Sequence, residues 1–331
     1  MSTDDFSYEL PPSAIAQVPV EPRDSARLLV ALGDAPVSHR SVADLPDLLH
    51  PGDLVVVNDT RVSPARLHLA KRGSGGAVEV LLLEPIVDGM WEALIKPGGR
   101  VRPGSVLCAA DGLPVIEVGA HLGDGRRQVR LLTDPDPYGE VALPPYITVP
   151  LADPGRYQTV YAAQPGSVAA PTAGLHLTTE LLQRIRDRGV EVATVELVVG
   201  IGTFRPITAE QVEGHEMHAE RFRVPAATMA ACEAAQRVVA IGTTTVRALE
   251  SAAASGQAEG RTSLFIHGDY EFRVVDLLLT NFHLPRSSLL VMLEAFCGPR
   301  WRELYRVALA EGYRFLSFGD AMFVNRGAAA C

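Results

Sequence analysis

The sequence predicts an α/β protein with a mainly parallel sheet covered by helices, interrupted by an inserted small all-β barrel domain. Apolar, β-branched runs alternate with helical segments before residue 60 and after residue 150. Between residues 61 and 150 the apolar stretches are short and are bounded by Gly, Pro or Asp-Gly, with no good helix between them. We therefore predict a discontinuous α/β catalytic domain (1–60 and 151–325), an inserted β-barrel domain (61–150) and a disordered tail (326–331).

Composition narrows the class of protein. A chain of 331 residues with 47% apolar content can bury a large core, and its length favours two domains. Met1–Asp5 lacks the character of a secretion signal, and the apolar run Ser288–Cys297 is too short to span a bilayer and contains Glu294. The four cysteines have no CxxC or metal spacing, so we expect reduced thiols in a cytoplasmic protein without a metal. The net charge of −9 argues against a wholly basic surface, but a local patch is sufficient to bind nucleic acid.

The first part of the chain leads to a buried strand with a polar end. Phe6–Leu10 alternates like a short edge strand, Arg27–Leu32 reads as a strand, and Asp44–Leu49 reads as a short helix. The β-branched run Leu54–Val57 then predicts a fully buried strand, which ends on the polar residues Asn58–Arg61. Such a polar end is often only a loop, but it is also where open α/β sheets bind ligands.

The inserted domain is predicted from six short alternating stretches. They are 65–69, 77–83, 91–95, 105–109, 115–118 and 128–132. Basic residues cluster in the turns between them, where they could meet a phosphate backbone, although solvated turn charges are the commoner explanation.

After residue 150, strand and helix alternate regularly. The predicted strands are 190–199, 238–241, 272–280 and 313–318. The predicted helices are 179–189, 225–237, 246–254, a helix that starts near Pro285 and stops before Gly298, and 301–310. This alternation is typical of a mainly parallel sheet with helices on both faces.

Polar residues fall where several of these strands end. The clusters are Asn58–Thr60, Thr203, Gly242–Thr245, Asn281–His283 and Gly319–Asp320. If the strands are parallel, these ends share one edge of the sheet, which is the edge that binds ligands. One cluster means little, whereas five together favour a site.

The loop Val168–Thr178 adds a hydroxyl and an imidazole, Thr172 and His176, ahead of the helix 179–189. Thr178 is a suitable N-cap, and Gly174 can take positive φ where a ligand approaches the backbone. Taken alone, this stretch fits an ordinary capped loop and a functional site equally well.

Two further motifs have both a functional and a structural explanation. Gly242–Thr245 joins a buried strand to a helix, so it predicts an anion site at a helix N-terminus or a plain N-cap. His215–Glu220 contains two imidazoles and two carboxylates, but its HxxH spacing is a weak metal signal, and we favour a polar substrate loop. There is no GxSxG, so a serine hydrolase is not indicated.

The motifs, in this order, resemble the S-adenosylmethionine:tRNA ribosyltransferase-isomerase family of queuosine biosynthesis. The matching segments are 58–66, 143–147, 156–162, 169–176, 202–204, 215–218, 242–247, 280–285 and 313–323. They run through essentially the whole chain, and the family's α/β domain interrupted by a β barrel agrees with the organisation predicted above.

The resemblance implies that S-adenosylmethionine is consumed as a co-substrate, with no cofactor and no metal. Its ribosyl unit is transferred to 7-aminomethyl-7-deazaguanine at the tRNA wobble position and rearranges, giving epoxyqueuosine, adenine and methionine. This chemistry requires a base near the carbon beside the sulfonium, a proton donor for the adenine, and groups that hold the carboxylate and the ribose. We expect the protein to be a monomer that binds tRNA and does not bind a membrane.

Candidate roles follow from residue chemistry. His176 and His283 are candidates for the base and the acid, and Asp320 for orienting one of them or balancing the sulfonium. Gly242, Thr243 and Thr244 are candidates for holding the carboxylate, with added charge from Arg247. The remaining substrate-binding candidates are Asn58, Thr60, Arg61, Thr172, Gly174, His215, His218 and Asn281.

One departure and two other functions remain to be weighed. Where the family usually has an aromatic residue after the loop histidine, this chain has Leu177, which we expect to pack in the core. A methyltransferase would show a Gly-rich loop after its first strand, which is missing here. A non-enzymatic RNA-binding protein predicts a basic, aromatic-rich surface, whereas aromatic content is 6%.

Overall fold

The structure is a computed structural model that describes residues 1–87, 89–123, 125–200 and 206–327. The chain divides into two compact units. The first comprises Met1–Thr60, Pro144–Gln164 and Ala170–Cys331, and the second comprises Arg61–Leu143 and Pro165–Ala169. Among the described residues, none of the helices has the length and apolarity needed to cross a bilayer.

The first unit is built on a nine-stranded mixed sheet. Its strands are β1 (Arg27–Ala31), β2 (Ser38–Ser41), β3 (Asp53–Asn58), β13 (Glu191–Leu197), β14 (Glu220–Arg223), β15 (Arg237–Ile241), β16 (Glu259–Thr262), β17 (Leu277–Asn281) and β18 (Ala321–Asn325). Their order across the sheet is β16-β14-β13-β3-β15-β17-β18-β1-β2. The helices are α1 (Leu45–Leu48), α2 (Thr179–Asp187), α3 (Ala226–Ala234), α4 (Thr243–Ser255), α5 (Ser288–Cys297) and α6 (Trp301–Ala310).

The predicted mainly parallel sheet is wrong in its outer parts. The central strands β13, β3, β15 and β17 are parallel neighbours, but β18 runs antiparallel to β17, and both ends of the sheet are antiparallel. Two helices, α5 and α6, connect β17 to β18, and the chain returns to the edge it left. That helices cover the sheet stays a prediction.

The second unit contains a closed antiparallel barrel. Its six strands are β5 (Arg66–Lys71), β6 (Ala77–Pro85), β7 (Met90–Lys96), β8 (Val106–Cys108), β9 (Pro114–Gly123) and β10 (Arg126–Leu131), and β8 pairs back onto β5. The short strand β11 (Gly139–Glu140) also pairs with β5. Each predicted stretch of this region lies on one of the six strands, so the predicted barrel is confirmed. Two further strands are β4 (Thr60–Val62) and β12 (Gln164–Ser167).

Several local predictions are confirmed and several are wrong. The Thr178 hydroxyl accepts a hydrogen bond from Leu181 N and caps α2, as predicted. The predicted edge strand 6–10 is absent, since Thr3–Phe6 form a short 3₁₀ helix. In the predicted tail, Arg326 and Gly327 donate hydrogen bonds to Phe272 O and Phe296 O, and residues 328–331 lie outside the described part of the chain.

The hydrophobic core of the first unit lies beneath the parallel strands. Val55 and Val57 of β3, Ile241 of β15 and Leu279 of β17 are buried in one apolar cluster. Leu177 is completely buried in the same cluster, so it packs in the core as expected. This packing holds the strand ends rigidly at the edge described next.

Candidate active site

The four parallel strands end side by side. Asn58 ends β3, Ile241 ends β15 and pairs with Val57, and Asn281 ends β17. Because β18 is antiparallel, its first residue, Ala321, pairs with Asn281, and Asp320 lies at this same edge. The prediction that Gly319–Asp320 follow a strand is wrong, but the reversed strand direction brings them to the predicted edge. Thr203 lies outside the described residues.

Two adjoining clefts open at this edge, with about 340 and 380 Å³ of open space. Both are lined by Thr172, Asn281, His283 and Leu289. Gly242, Thr243 and Thr244 line one of them, and Tyr146 and Ser317 line the other. The structure therefore brings six of the predicted site residues into one place.

The start of α4 presents unused hydrogen-bond donors to the cleft. Gly242 has a φ of 87°, which lets the chain turn from β15 directly into the helix. Thr245 N and Val246 N both bond to Gly242 O, but the N–H groups of Thr243 and Thr244 form no hydrogen bond within the described part of the chain. The buried Thr244 Oγ1 also has no partner there. Such a helix N-terminus suits an anion.

His176 is buried and neutral. Its Nε2 lies 3.0 Å from Asn281 Nδ2, and the same amide nitrogen donates to Asp320 O. Because that carbonyl can only accept, Asn281 Nδ2 is the donor in both hydrogen bonds. The Nε2 of His176 is therefore the unprotonated nitrogen. Burial lowers the pKa of His176 to about 4, helped by the positive charges of Arg314 and Arg156.

His283 is also neutral and faces both clefts. Its Nε2 lies 3.0 Å from Thr280 Oγ1, and its backbone N–H donates to the Tyr305 hydroxyl at 2.8 Å. The Tyr8 hydroxyl donates to the His283 carbonyl, which fixes the residue from the other side. Burial lowers the pKa of His283 to about 3. Near neutral pH both imidazoles are therefore neutral, each with one N–H and one unprotonated nitrogen.

The carboxylate of Asp320 is engaged with the backbone. It accepts hydrogen bonds from Arg27 N at 3.0 Å and from Arg314 N at 2.8 Å. Those bonds tie the start of β1 to the segment before β18. The contact with His176 runs through Asn281 instead, so the carboxylate does not orient either imidazole as expected.

Arg247 is likewise engaged elsewhere. It is buried in an ion pair with Glu220, and its Nε donates to Leu264 O. Its charge is neutralised inside the protein, and it lines neither cleft. Its Nη2 has no hydrogen-bond partner among the described residues, so a contribution of Arg247 to the carboxylate site stays a prediction.

The three candidates that follow β3 have different environments. The Asn58 side chain bonds to both the N–H and the C=O of Leu197 and to Thr60 N, so it joins β3 to β13. The hydroxyl of Thr60 is buried without a partner among the described residues. Arg61 is exposed and belongs to the second unit.

Gly174 is required for packing. Its φ is not positive, which corrects the expectation from sequence. A Cβ at this position would collide with the hydroxyl of Tyr161 and approach Thr159 Cγ2 to 3.1 Å. The lack of a side chain therefore lets the 3₁₀ helix Thr172–His176 pack against Tyr161.

The HxxH motif lies apart from the residues that line the clefts. His215 is half-buried against Phe265, with ring centroids 5.4 Å apart, and burial together with the charge of His218 lowers its pKa. His218 is exposed. Within the described ranges, no group of three or more His, Cys, Asp or Glu side chains could hold a metal ion.

Tyr146 and Ser317 are site residues that the sequence did not predict. Their hydroxyls are 2.7 Å apart, and burial raises the pKa of Tyr146 to about 12, so the phenol keeps its proton. Tyr146 lies in one of the matching segments, 143–147, which was the available signal.

A mixed sheet interrupted by an antiparallel barrel, with a polar cleft at the ends of its parallel strands, is the fold of an α/β ligand-binding protein. Similarity to known proteins narrows this class. The model of the queuosine biosynthesis protein family matches residues 3–324, and the chain belongs to that family.

Relatives match over almost their whole length. A protein of Rubrobacter xylanophilus is 50% identical over 99% of this chain and 98% of its own, and one of Thermus thermophilus is 50% identical over 96% and 98%. Both are named S-adenosylmethionine:tRNA ribosyltransferase-isomerase. The crystal structure of S-adenosylmethionine tRNA ribosyltransferase from Thermotoga maritima is 36% identical, with a TM-score of 0.56 over 97% of this chain and 99% of that one.

Proposed function

We propose that this chain is a ribosyltransferase-isomerase that consumes S-adenosylmethionine and modifies tRNA in queuosine biosynthesis. The ribosyl unit passes to 7-aminomethyl-7-deazaguanine at the wobble position, and epoxyqueuosine, adenine and methionine are formed. The observation that carries the proposal is the cleft at the ends of the parallel strands, with two neutral imidazoles and unused donors, in a chain half identical to enzymes of this name.

Catalysis belongs to the α/β part, 1–60 and 151–325, and the barrel, 61–150, is an inserted domain. The protein works in the cytoplasm as a monomer and needs no metal. The two compact units support this division of the chain.

The start of α4 holds the methionine carboxylate. The N–H groups of Thr243 and Thr244 and the hydroxyl of Thr244 are unused donors that face the cleft. They supply hydrogen bonds and the positive end of the helix dipole without a charged side chain. The burial of Arg247 against Glu220 is consistent with this arrangement.

His283 is the base. It lines both clefts, and with Thr280 at its Nε2 its Nδ1 has no hydrogen-bond partner in the described part of the chain. The sulfonium acidifies the protons of the neighbouring carbon, and a neutral imidazole can remove one. The protonated imidazole is then the donor that departing adenine requires, so one residue can serve in both steps.

His176 positions Asn281. Its Nε2 accepts from the Asn281 amide, and the Asn281 Oδ1 is buried with no partner among the described residues. That oxygen is available to a ribose hydroxyl or the adenine amino group. Thr172 lines both clefts beside it.

The test is incubation with S-adenosylmethionine and tRNA that carries the deazaguanine. Adenine release that depends on this tRNA is expected. S-adenosylhomocysteine as the product would instead identify a methyltransferase, and tRNA binding without turnover would identify a binding protein.

The roles of the imidazoles are tested in the same assay under single turnover. His283→Ala is expected to lower the rate about 10²- to 10⁴-fold, the range of a general base. His176→Ala should act less strongly, by releasing Asn281. His121→Ala, an exposed histidine of β9, is the matched control. Near-normal turnover in both cleft variants would remove the imidazoles from the chemical step.

A further inference from the structure

A third pocket is lined by His176, the residue whose imidazole contacts Asn281. It is a small, solvent-facing pocket lined by Pro19, Val20, Arg23, Arg156, Leu175, His176, Ser317 and Phe318. Ser317 lines both this pocket and one of the clefts, and His176 contacts Asn281 in the clefts. The pocket therefore adjoins the candidate active site.

Two arginines are held in this pocket by backbone carbonyls. Arg23 donates to Leu175 O at 3.2 Å and to Gly155 O at 3.0 Å. Arg156 donates to Val20 O at 2.7 Å, and its side chain is 12% exposed. Its Nη1 is buried without a hydrogen-bond partner in the part of the chain that the structure describes. The two guanidinium groups are thus fixed in place with donors to spare.

Two carboxylates, Glu21 and Asp153, act on these two cations. Burial and the charge of Arg156 both lower the pKa of Arg23, so the two cations repel each other. Of the nearby carboxylates, Glu21 forms an ion pair with Arg156 but is 68% exposed, and Asp153 accepts a hydrogen bond from Gly155 N. Because Glu21 is the exposed partner of this pair, a better anion can displace it from Arg156. Arginine fits the oxygens of a phosphate particularly well.

Two exposed apolar side chains belong to segments close to this pocket in the chain or linked to it. Val18 is 53% exposed and Val149 is 41% exposed. Gln17 links their segments, because its side chain bonds to Tyr146 O and to Thr148 N, each at 2.9 Å. Arginines close to this segment suit the phosphates of RNA.

We infer that Arg23 and Arg156 bind a backbone phosphate of the substrate RNA, next to the nucleotide that is modified. The inference rests on the proposed function and adds where the RNA backbone is held. A methionine carboxylate is the other oxyanion available, but the start of α4 already provides a site for it within the cleft. A phosphate in this pocket places the adjoining nucleotide against His176 and the cleft.

The experiment measures equilibrium binding of tRNA without S-adenosylmethionine at several salt concentrations between about 50 and 200 mM. Arg23→Gln and Arg156→Gln are each expected to raise the dissociation constant about tenfold and to reduce the salt slope by roughly one. Arg156→Lys should restore most of the slope, because it keeps the charge. Arg306→Gln, an exposed arginine of α6 paired with Glu303, is the matched control.

Steady-state kinetics separate the two oxyanions, and thermal unfolding of each variant confirms that it is folded. The inference requires a higher KM for tRNA with an unchanged KM for S-adenosylmethionine. An unchanged tRNA affinity and salt slope, or a higher KM for S-adenosylmethionine alone, would overturn it. The binding measurement needs no turnover, so it stays informative if wild-type enzyme releases no adenine, which would contradict the proposed function alone.

Discussion

Buried polar groups lie both where the parallel strands of the nine-stranded sheet start and where they end. The groups at the starts are hydrogen-bonded, whereas two at the ends have no partner among the described residues. Where the parallel strands start, Asp53 accepts two hydrogen bonds from Arg237, at 2.8 and 2.5 Å, and one from His50 N. There Asp276 accepts from Val238 N and pairs with Arg326. Where the strands end, Thr244 Oγ1 and Asn281 Oδ1 are buried without a partner among the described residues.

Open space does not distinguish the two edges. The cleft beside Asp276, Arg237 and Arg326 has about 690 Å³ of open space, more than either cleft at the strand ends. Its charged groups already bind one another, so a ligand there would have to break existing bonds. An unpaired buried group costs free energy that a ligand can recover. Unused hydrogen-bonding capacity is therefore a better guide to the site than volume.

The strongest test of this comparison is Asn281→Ala at the strand ends. We expect kcat/KM to fall about 100-fold, a typical cost of removing one positioned polar group. The free energy of unfolding should change by less than about 1 kcal/mol, because the loss of the hydrogen bonds to His176 Nε2 and Asp320 O is offset by removal of the unpartnered Oδ1. Urea unfolding and adenine release measure the two quantities. A loss of stability without loss of activity would show that Asn281 has a structural role and would contradict this prediction.

The converse experiment is Asp53→Ala, where the parallel strands start. It removes the partner of Arg237, which is 30% exposed, and we expect the unfolding free energy to fall by about 2 kcal/mol. The folded fraction should keep its kcat/KM. Asp47→Ala, which removes an exposed partner of Arg188, is the control and should cost at most about 0.5 kcal/mol. A large drop in activity with stability intact would contradict the distinction between the edges.

A graded effect is expected from pH. The pKa values of His176 and His283 are lowered from 6.5 to about 4 and about 3, so below pH 6.5 the unfolded chain binds protons that the folded chain does not. Each histidine should therefore reduce the unfolding free energy by about 1.4 kcal/mol per pH unit as the pH falls below 6.5. Urea unfolding at about pH 7 and pH 5, on either side of the unfolded value, measures this loss. The double variant His176→Asn and His283→Asn should show a weaker pH dependence than wild type, and an equal dependence would refute the assignment.

Much of the architecture follows from local pattern. The six barrel strands, the buried strand β3, the Thr178 cap and the bounds of α6 were all available from apolar spacing and turn residues. The last strand was misplaced because 313–318 is as apolar as a strand. Its aromatic residues instead pack on Phe282, while Leu316 takes a φ of 70°. No local pattern distinguishes that packing from pairing in a sheet.

The location of the candidate site was easier to predict from the sequence than the roles of its residues. Pattern alone brought the polar ends of β3, β15 and β17 to one edge, because parallel strands must end together. Whether a polar group at the strand ends is free to bind a ligand depends on residues far away in the sequence. Arg247 is neutralised by Glu220, and Asn58 is bonded to Leu197. Arg23 and Arg156 were not candidates because their importance comes from a pocket shared by segments far apart in the chain.

The position of β18 has a consequence for how the molecule is assembled. This strand is the last in chain order, yet it lies inside the sheet, between β17 and β1. The hairpin of β1 and β2, although made first, can join the sheet only after β18 has been synthesised. Asp320, just before β18, then fixes Arg27 at the start of β1. The strands β1 and β2 can therefore complete the sheet only after the last strand has left the ribosome, and the candidate site at the strand ends is among the last features to form.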